Sequence, residues 1–219
     1  MSDTWPLVLE RGVAGVAHEG EGRSGDLAVF APSARGGLVA VIDGLGHGDA
    51  AADAAELAAE IIKAYADEEP QRLLERCHEE LRRSRGAVMT LAWFDLEART
   101  MAWTGVGNVE ARFVRASAGA DARHDSPVVL GGVVGYNLPQ VRMGTVALEP
   151  GDAVVLATDG VAADYSMSLE PGVAAQPLAE RVLARHGKGT DDALAVVVRY
   201  LGPPATSAEQ PRVEDHRGE

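Results

Sequence analysis

The chain has 219 residues, of which 46% are hydrophobic, and a single cysteine, Cys77. A chain of this length buries roughly 70% of its unfolded surface, so it builds a core without the disulfide framework that one cysteine excludes. The 20 Lys and Arg stand against 33 Asp and Glu, a formal net charge of −13. Because phosphate backbones are bound by clustered cations, this charge argues against nucleic-acid binding. No leader-like or membrane-spanning segment is visible, so we expect a cytoplasmic protein.

We expect one folded domain over residues 1–202 and a disordered acidic and polar tail over residues 203–219. The tail has almost no apolar residues with which to form a core. The body is punctuated at short intervals by most of the 25 glycines and 11 prolines, a pattern typical of short strands joined by turns.

The predicted elements follow from short apolar runs and from apolar residues spaced three or four apart. In chain order they are strands at 27–32 and 38–43, helices at 49–65 and 70–83, strands at 87–95, 100–105, 110–115, 142–148 and 153–158, a helix at 178–186 and a strand at 193–200. A loop is expected at 117–126.

Each of the first two helices is predicted to bury one apolar face. The face of the first helix comprises Leu57, Ala58, Ile61, Ile62 and Tyr65. The face of the second comprises Leu73, Leu74, Cys77 and Leu81.

Several aspartates stand at the ends of predicted apolar strands. Asp43 and Asp159 each end a strand in an Asp-Gly pair, Asp26 opens an early strand, and Asp191 and Asp192 precede the last one. One Asp-Gly pair is a common turn, but several such aspartates framing central strands indicate a shared site. Converging carboxylates repel one another unless a cation neutralises them, and oxygen ligands without clustered Cys or His favour Mg²⁺ or Mn²⁺.

The order of these motifs resembles the metal motifs of the PPM metal-dependent protein phosphatases, in particular the SpoIIE-like branch. The matching stretches are Ser24-Gly-Asp26, Asp43-Gly-Leu-Gly-His-Gly48, Ala157-Thr-Asp159-Gly160 and Thr190-Asp-Asp192. Residues 81–87, 105–110 and 134–139 further resemble the stand-alone RsbX-type phosphatases of stressosome pathways. The resemblance covers about residues 20 to 200.

The resemblance implies an α+β fold, a central antiparallel β-sandwich flanked by helices in α-β-β-α layers, with two Mn²⁺ or Mg²⁺ ions at one end. It implies that Asp43 bridges both ions and that the carbonyl of Gly44 is a neighbouring ligand. It also implies that Asp159 and Asp191 hold one ion and that Asp26 contributes. Asp192 either assists the metal site or only begins the last strand.

The implied activity is hydrolysis of phosphoserine or phosphothreonine on small regulatory proteins, such as the phospho-STAS proteins of a stressosome or partner-switching module. A metal-activated water would attack phosphorus. His47 is a possible proton donor to the leaving group, or it only caps or packs in the turn. The alternative is a catalytically weak or inactive scaffold of the same fold, which the presence of all the matched aspartates argues against.

The chain departs from the family pattern at two places. Leu194 stands where the family often has Thr, in a predicted strand, so that change concerns packing. The phosphate-binding arginine of eukaryotic relatives has no match, since Arg23 is near but at the wrong spacing. Asn108, Asp152 and Asp164 are interpreted as turn and loop residues.

Two other phosphate chemistries are less favoured by the residues themselves. Cys77 and Arg83 have the spacing of a cysteine-based phosphatase loop, but helix formers lie between them and Cys77 falls on an apolar stripe. The glycines at 44, 46 and 48 do not have the dinucleotide-binding spacing, and Asp43 would repel a pyrophosphate there.

Overall fold

The computed structural model describes residues 4–20, 22–117 and 130–203. Within these ranges the chain forms nine strands, three α-helices and a short 3-10 helix, Ala163–Ser168. The strands are β1 (Leu9–Val16), β2 (Asp26–Ser33), β3 (Gly36–Gly44), β4 (Ala87–Asp95), β5 (Thr100–Val106), β6 (Glu110–Val114), β7 (Gly144–Ala147), β8 (Ala153–Ala157) and β9 (Ala193–Tyr200). The helices are α1 (Asp49–Ala64), α2 (Pro70–Leu81) and α3 (Ala175–His186).

The strands form two antiparallel sheets packed face to face. One sheet has the order β1-β9-β8-β6 and the other the order β2-β3-β4-β5-β7. Helix α3 packs on β1 and β9, whereas α1 and α2 pack on the second sheet. Buried clusters fill the space between the sheets and beneath the helices on both sides. The predicted α+β fold with α-β-β-α layers is therefore confirmed.

All eight predicted strands form, with ends within two residues of the expected positions. Strand β1 was not predicted, because Gly12 and Gly15 interrupt its apolar pattern. Pairing with β9 along its whole length, from Leu9 opposite Tyr200 to Val16 opposite Ala193, makes this segment a strand. The segment around Asp164, expected to be a loop, is the 3-10 helix. The predicted tail lies, apart from Pro203, outside the described residues, and so does the predicted loop beyond residue 117.

The predicted buried face of α1 is wrong at two positions. Leu57 and Tyr65 are 36% and 42% exposed, and the helix buries a set of alanines with Ile61 and Ile62 instead. The small side chains of the alanines let α1 lie close to the sheet. The buried face of the helix is therefore the one that carries the alanines. Tyr65 packs against Arg76, whose guanidinium carbon lies 3.8 Å from the ring centroid.

The predicted face of α2 is confirmed. Leu73, Leu74, Cys77 and Leu81 are all fully buried against the second sheet. Burial raises the pKa of the Cys77 thiol to about 12, so at neutral pH this cysteine is a core thiol and not a nucleophilic thiolate.

None of the helices in the described ranges combines the length and the apolar character that a membrane crossing requires.

Gly12 allows the closest contact between α3 and the sheet below it. A Cβ at this position would overlap the backbone of Ala175 and Gln176, where α3 begins. Gln176 reinforces this contact, because its side-chain amide exchanges two hydrogen bonds of 2.9 Å with the backbone of Val13. The start of α3 is therefore attached directly to β1.

We expect Gly12→Ala to lower the free energy of unfolding by about 1–3 kcal/mol, because the added methyl group forces α3 away from β1. Denaturant unfolding of the variant measures the change. Gly22→Ala is the matched control, since a Cβ there meets no atom within 4 Å. Equal losses in both variants would contradict the close-contact explanation.

Candidate metal centre

The pairing of the strands brings aspartates from both sheets to one end of the sandwich. Asp26 and Asp43 are direct cross-strand partners at the ends of β2 and β3. In the other sheet Asp159 follows β8 and Asp191 precedes β9, and these two strands are antiparallel neighbours. The ends of one strand pair in each sheet thus carry the four carboxylates.

The electrostatics of this cluster disfavour four separate charges. Burial, with smaller contributions from the neighbouring carboxylates, raises the pKa of Asp43 to about 8 and that of Asp26 to about 7. The neighbours whose charges raise the pKa of Asp43 are Asp26, Asp159, Asp191 and Asp192. A cation at the centre of the cluster would remove both costs.

An open cavity of about 410 Å³ lies above the cluster. Asp43, Asp159 and Asp191 line it together with His47 and Asn108. Asp26 does not line the cavity, and its carboxylate accepts a hydrogen bond from the hydroxyl of Thr158. The cavity is therefore acidic and bounded by the residues that the sequence singled out.

The four carboxylates fit a hard divalent cation by their chemistry, because they offer only oxygen donors. In the described residues, however, no group of three or more Asp, Glu, His or Cys side chains is already arranged around one point. Carboxylates without a counter-ion separate from one another, so we expect the aspartate side chains to turn inward when a cation binds.

Asp192 differs from the other acidic residues because both of its carboxylate oxygens accept backbone hydrogen bonds. The N–H of His18 donates to Oδ1 at 2.7 Å and the N–H of Gly25 donates to Oδ2 at 2.6 Å. The residue is only 5% exposed. Asp192 thereby ties the segment that leads into β2 to the start of β9, one residue from Asp26 on one side and next to Asp191 on the other.

Thr158 forms a second link between the two sheets. Its hydroxyl donates to Asp26 Oδ2 at 2.6 Å and accepts from the N–H of Leu194 at 2.9 Å. The donated hydrogen bond favours the ionised form of Asp26 and opposes the effect of burial on its pKa. Thr158 therefore fixes the position of Asp26 relative to β8 and β9.

Asn108 contacts a predicted metal ligand, although the sequence indicated only a turn residue. It lies in the turn between β5 and β6, after Gly107 with φ +101°, and its side-chain amide donates to Asp159 Oδ2 at 2.8 Å. The contact exists because β6 pairs with β8, which brings this turn beside Asp159. No local pattern predicts that pairing, so sequence reasoning missed the contact.

The loop after β3 shapes the rim of the cavity. The N–H of Gly44 donates to the carbonyl of Gly25 at 3.0 Å, and a Cβ on Gly44 would overlap the carbonyl of Ala51 in the first turn of α1. Gly44 is therefore required where the loop and α1 are in contact. His47 is exposed at the rim, directly before Gly48, the N-cap of α1.

Arg23 is engaged outside the cavity. Its guanidinium forms ion pairs with Asp53 at 2.8 Å and Glu56 at 2.7 Å on α1. These pairs leave no reason to assign Arg23 a contact with phosphate.

Asp152 and Asp164 also lie apart from the cluster. The buried carboxylate of Asp152 accepts hydrogen bonds from the N–H groups of Glu149 and Ala116, which confirms its interpretation as a turn residue. Asp164 contacts Nδ1 of His186.

Known proteins resemble this chain in sequence and in fold. Phosphoserine phosphatase RsbX of Bacillus subtilis (strain 168) is 27% identical over 124 residues, which are 57% of this chain and 60% of that protein. The chain thus spans less than two thirds of that curated relative. A structure from work on the bacterial stressosome, a modular system adapted to control secondary messenger signalling, has a TM-score of 0.78 and 28% identity. The match covers 87% of this chain and 99% of the chain in that structure.

The structure of RsbX in complex with magnesium has the same TM-score of 0.78 at 22% identity, over 87% of this chain and 94% of the other, and shows the shared fold. The family model of stage II sporulation protein E (SpoIIE) matches residues 33–210, well over half of the chain. Its match and the two-sheet architecture lead to one conclusion: this chain belongs to the SpoIIE family.

Proposed function

We propose that the protein is a metal-dependent serine/threonine protein phosphatase. The observation that carries this proposal is the convergence of Asp26, Asp43, Asp159 and Asp191 at the end of the sandwich, where burial, together with repulsion from the neighbouring carboxylates, raises the pKa of Asp26 and Asp43. The phosphoserine phosphatase activity in the printed name of the curated relative supports it.

The metal site in this proposal contains two Mn²⁺ or Mg²⁺ ions. Asp43 would hold both ions, with the carbonyl of Gly44 as a neighbouring ligand, Asp159 and Asp191 would hold one ion, and Asp26 would contribute to the site. The magnesium in the structure of RsbX, which has the same fold, supports a divalent cation in this proposal. When bound, the cations neutralise the phosphate and lower the pKa of a water molecule.

In this proposal Asp192 and Asn108 position other groups of the site, whereas His47 transfers a proton. Asp192 is a positioning residue, because its two oxygens are occupied by the N–H groups of His18 and Gly25. Asn108 orients Asp159 through the hydrogen bond to Oδ2. His47, at the rim, donates a proton to the serine or threonine oxygen as its bond to phosphorus breaks.

The substrate class is a phosphorylated regulatory protein, and the phospho-STAS proteins of a stressosome or partner-switching module are the proposed partners. The similarity to RsbX and to a structure from stressosome work supports this choice. The expected cytoplasmic location stays a prediction. An inactive scaffold is the competing hypothesis, and the complete set of matched aspartates argues against it.

We expect Asp43→Asn and Asp159→Asn to reduce Mn²⁺-dependent hydrolysis of a phosphoserine peptide at least about 100-fold, because each removes a charged ligand. Phosphate release with Mn²⁺, with Mg²⁺ and with EDTA measures this loss. Cys77→Ser is the control, and it should retain turnover with modest core destabilisation. A folded Cys77→Ser variant without activity would favour thiol chemistry, and wild-type protein that binds Mn²⁺ but never turns over would favour the scaffold.

The metal-free protein should lose stability as the pH rises from about 4 to about 8. The pKa values of Asp43 and Asp26 are raised on folding, so the folded state binds more protons than the unfolded state in this window. Asp43→Asn should raise the free energy of unfolding at pH 8 by at least about 1.4 kcal/mol, the equivalent of one pKa unit. Denaturant unfolding in EDTA at pH 5 and pH 8 tests both statements, and a metal-free stability that rises over this window would contradict them.

Thr158→Val should weaken Mn²⁺ binding near pH 7 and lower the free energy of unfolding by about 1–3 kcal/mol. The substitution removes the hydrogen bond that favours ionised Asp26 and leaves the N–H of Leu194 without its acceptor. Calorimetric titration with Mn²⁺ and denaturant unfolding measure the two effects. Thr104→Val is the matched control, because that buried hydroxyl donates only to the carbonyl of Arg142. Equal Mn²⁺ affinity in the two variants would exclude a role of Thr158 at the site.

A further inference from the structure

The turn between α2 and β4 has a rigid backbone that presents a single arginine. Both the N–H and the hydroxyl of Ser84 donate to the carbonyl of Leu81, at 2.9 and 2.8 Å, and the N–H of Gly86 donates to Ser84 Oγ at 3.0 Å. Gly86 has φ +78°, and a Cβ there would lie 2.7 Å from the carbonyl oxygen of Val134. The residues on both sides of Arg85 are therefore held in place.

The same turn is bonded to the loop at the cavity rim. The N–H of Leu45 donates to the carbonyl of Gly86 at 3.0 Å. Gly46, which lines the cavity, has φ +91°, and a Cβ on it would lie 2.7 Å from Nη1 of Arg85. The Arg85 guanidinium thus packs against the rim of the acidic cavity.

Arg85 carries a charge that none of the described residues neutralises. Over residues 4–20, 22–117 and 130–203 it forms no ion pair or side-chain hydrogen bond, whereas Arg23 pairs with Asp53 and Glu56. The other cation near the site, Lys188, donates from Nζ to the backbone carbonyl of Asp159 at 2.6 Å. In a chain with a net charge of −13, an exposed, unpaired guanidinium beside a carboxylate-lined cavity is available to an anion.

We propose that Arg85 binds the phosphate group of the substrate at the rim of this cavity, an inference that rests on the proposed function. A phosphate monoester is negatively charged, and so are the carboxylates of Asp43, Asp159 and Asp191. A positive side chain at the rim therefore favours its approach. The planar guanidinium donates two parallel N–H groups to phosphate oxygens, which an ammonium group cannot do with the same geometry. Arg85 is a substrate-binding residue in this arrangement, supplied by the turn before β4.

The test compares wild type with Arg85→Ala, Arg85→Lys and Arg83→Ala. Arg83 is the matched control, because it is an exposed arginine in the same turn without the contact to Gly46. Calorimetry of the Mg²⁺-loaded proteins with inorganic phosphate measures phosphate affinity without turnover. Hydrolysis of a phosphoserine peptide measures KM and kcat, and titration with Mg²⁺ alone shows whether the metal site is intact.

We expect Arg85→Ala to weaken phosphate binding and to raise KM by about 10-fold or more, the loss of a hydrogen bond between charged groups, with Mg²⁺ affinity unchanged. Arg85→Lys should recover part of the loss, and Arg83→Ala should match wild type. Equal phosphate affinity and KM in wild type and Arg85→Ala would overturn the inference alone, as would an equal loss in Arg83→Ala, which indicates general charge attraction. Wild-type protein without Mg²⁺ binding or turnover would overturn the proposed function, and this inference with it.

Discussion

The rest of the site depends on one electrostatic constraint, the repulsion among carboxylates gathered at one end of the sandwich. Asp26 and Asp43 face each other across the ends of β2 and β3, and their partly buried carboxyl groups have pKa values raised to about 7 and about 8. Such a cluster opposes folding when it is fully ionised and has no counter-ion. Its presence at one end of a well-packed sandwich is the basis of the cation site proposed above.

The surrounding hydrogen bonds connect the two sheets at this cluster, although the sheets do not share a strand. Thr158 connects Asp26 to the end of β8 and to Leu194 on β9, and Asp192 connects the start of β9 to Gly25. The bonds from Gly25 to Asp192 and from Leu194 to Thr158 are buried, and the bond from Thr158 to Asp26 is partly buried. The position of Asp26 relative to the ends of β8 and β9 is thereby set by the protein.

The rim of the cavity is formed by segments that are distant from one another in the chain. The loop from Gly44 to Gly48 is bonded to Gly25 on one side and to Gly86 on the other, so the start of α1, the entrance to β2 and the turn before β4 form one unit. This arrangement explains why an exposed residue such as Arg85 has a defined position. A substrate phosphate in this cavity would meet aspartates on one side and the arginine at the rim.

The sequence by itself determined the residue types and most of the elements. Acidic residues at strand ends, strands marked by apolar runs and a helix marked by the Leu73 to Leu81 stripe are local patterns, and eight strands, three helices and the acidic cluster follow from them. Only the tertiary structure decided the features that depend on pairing and close approach. Strand β1 exists through its register with β9, the alanine face of α1 through contact with the sheet, and the Asn108 contact through the pairing of β6 with β8. These interactions join separate segments of the chain, and no pattern within a single segment encodes which other segment it will meet.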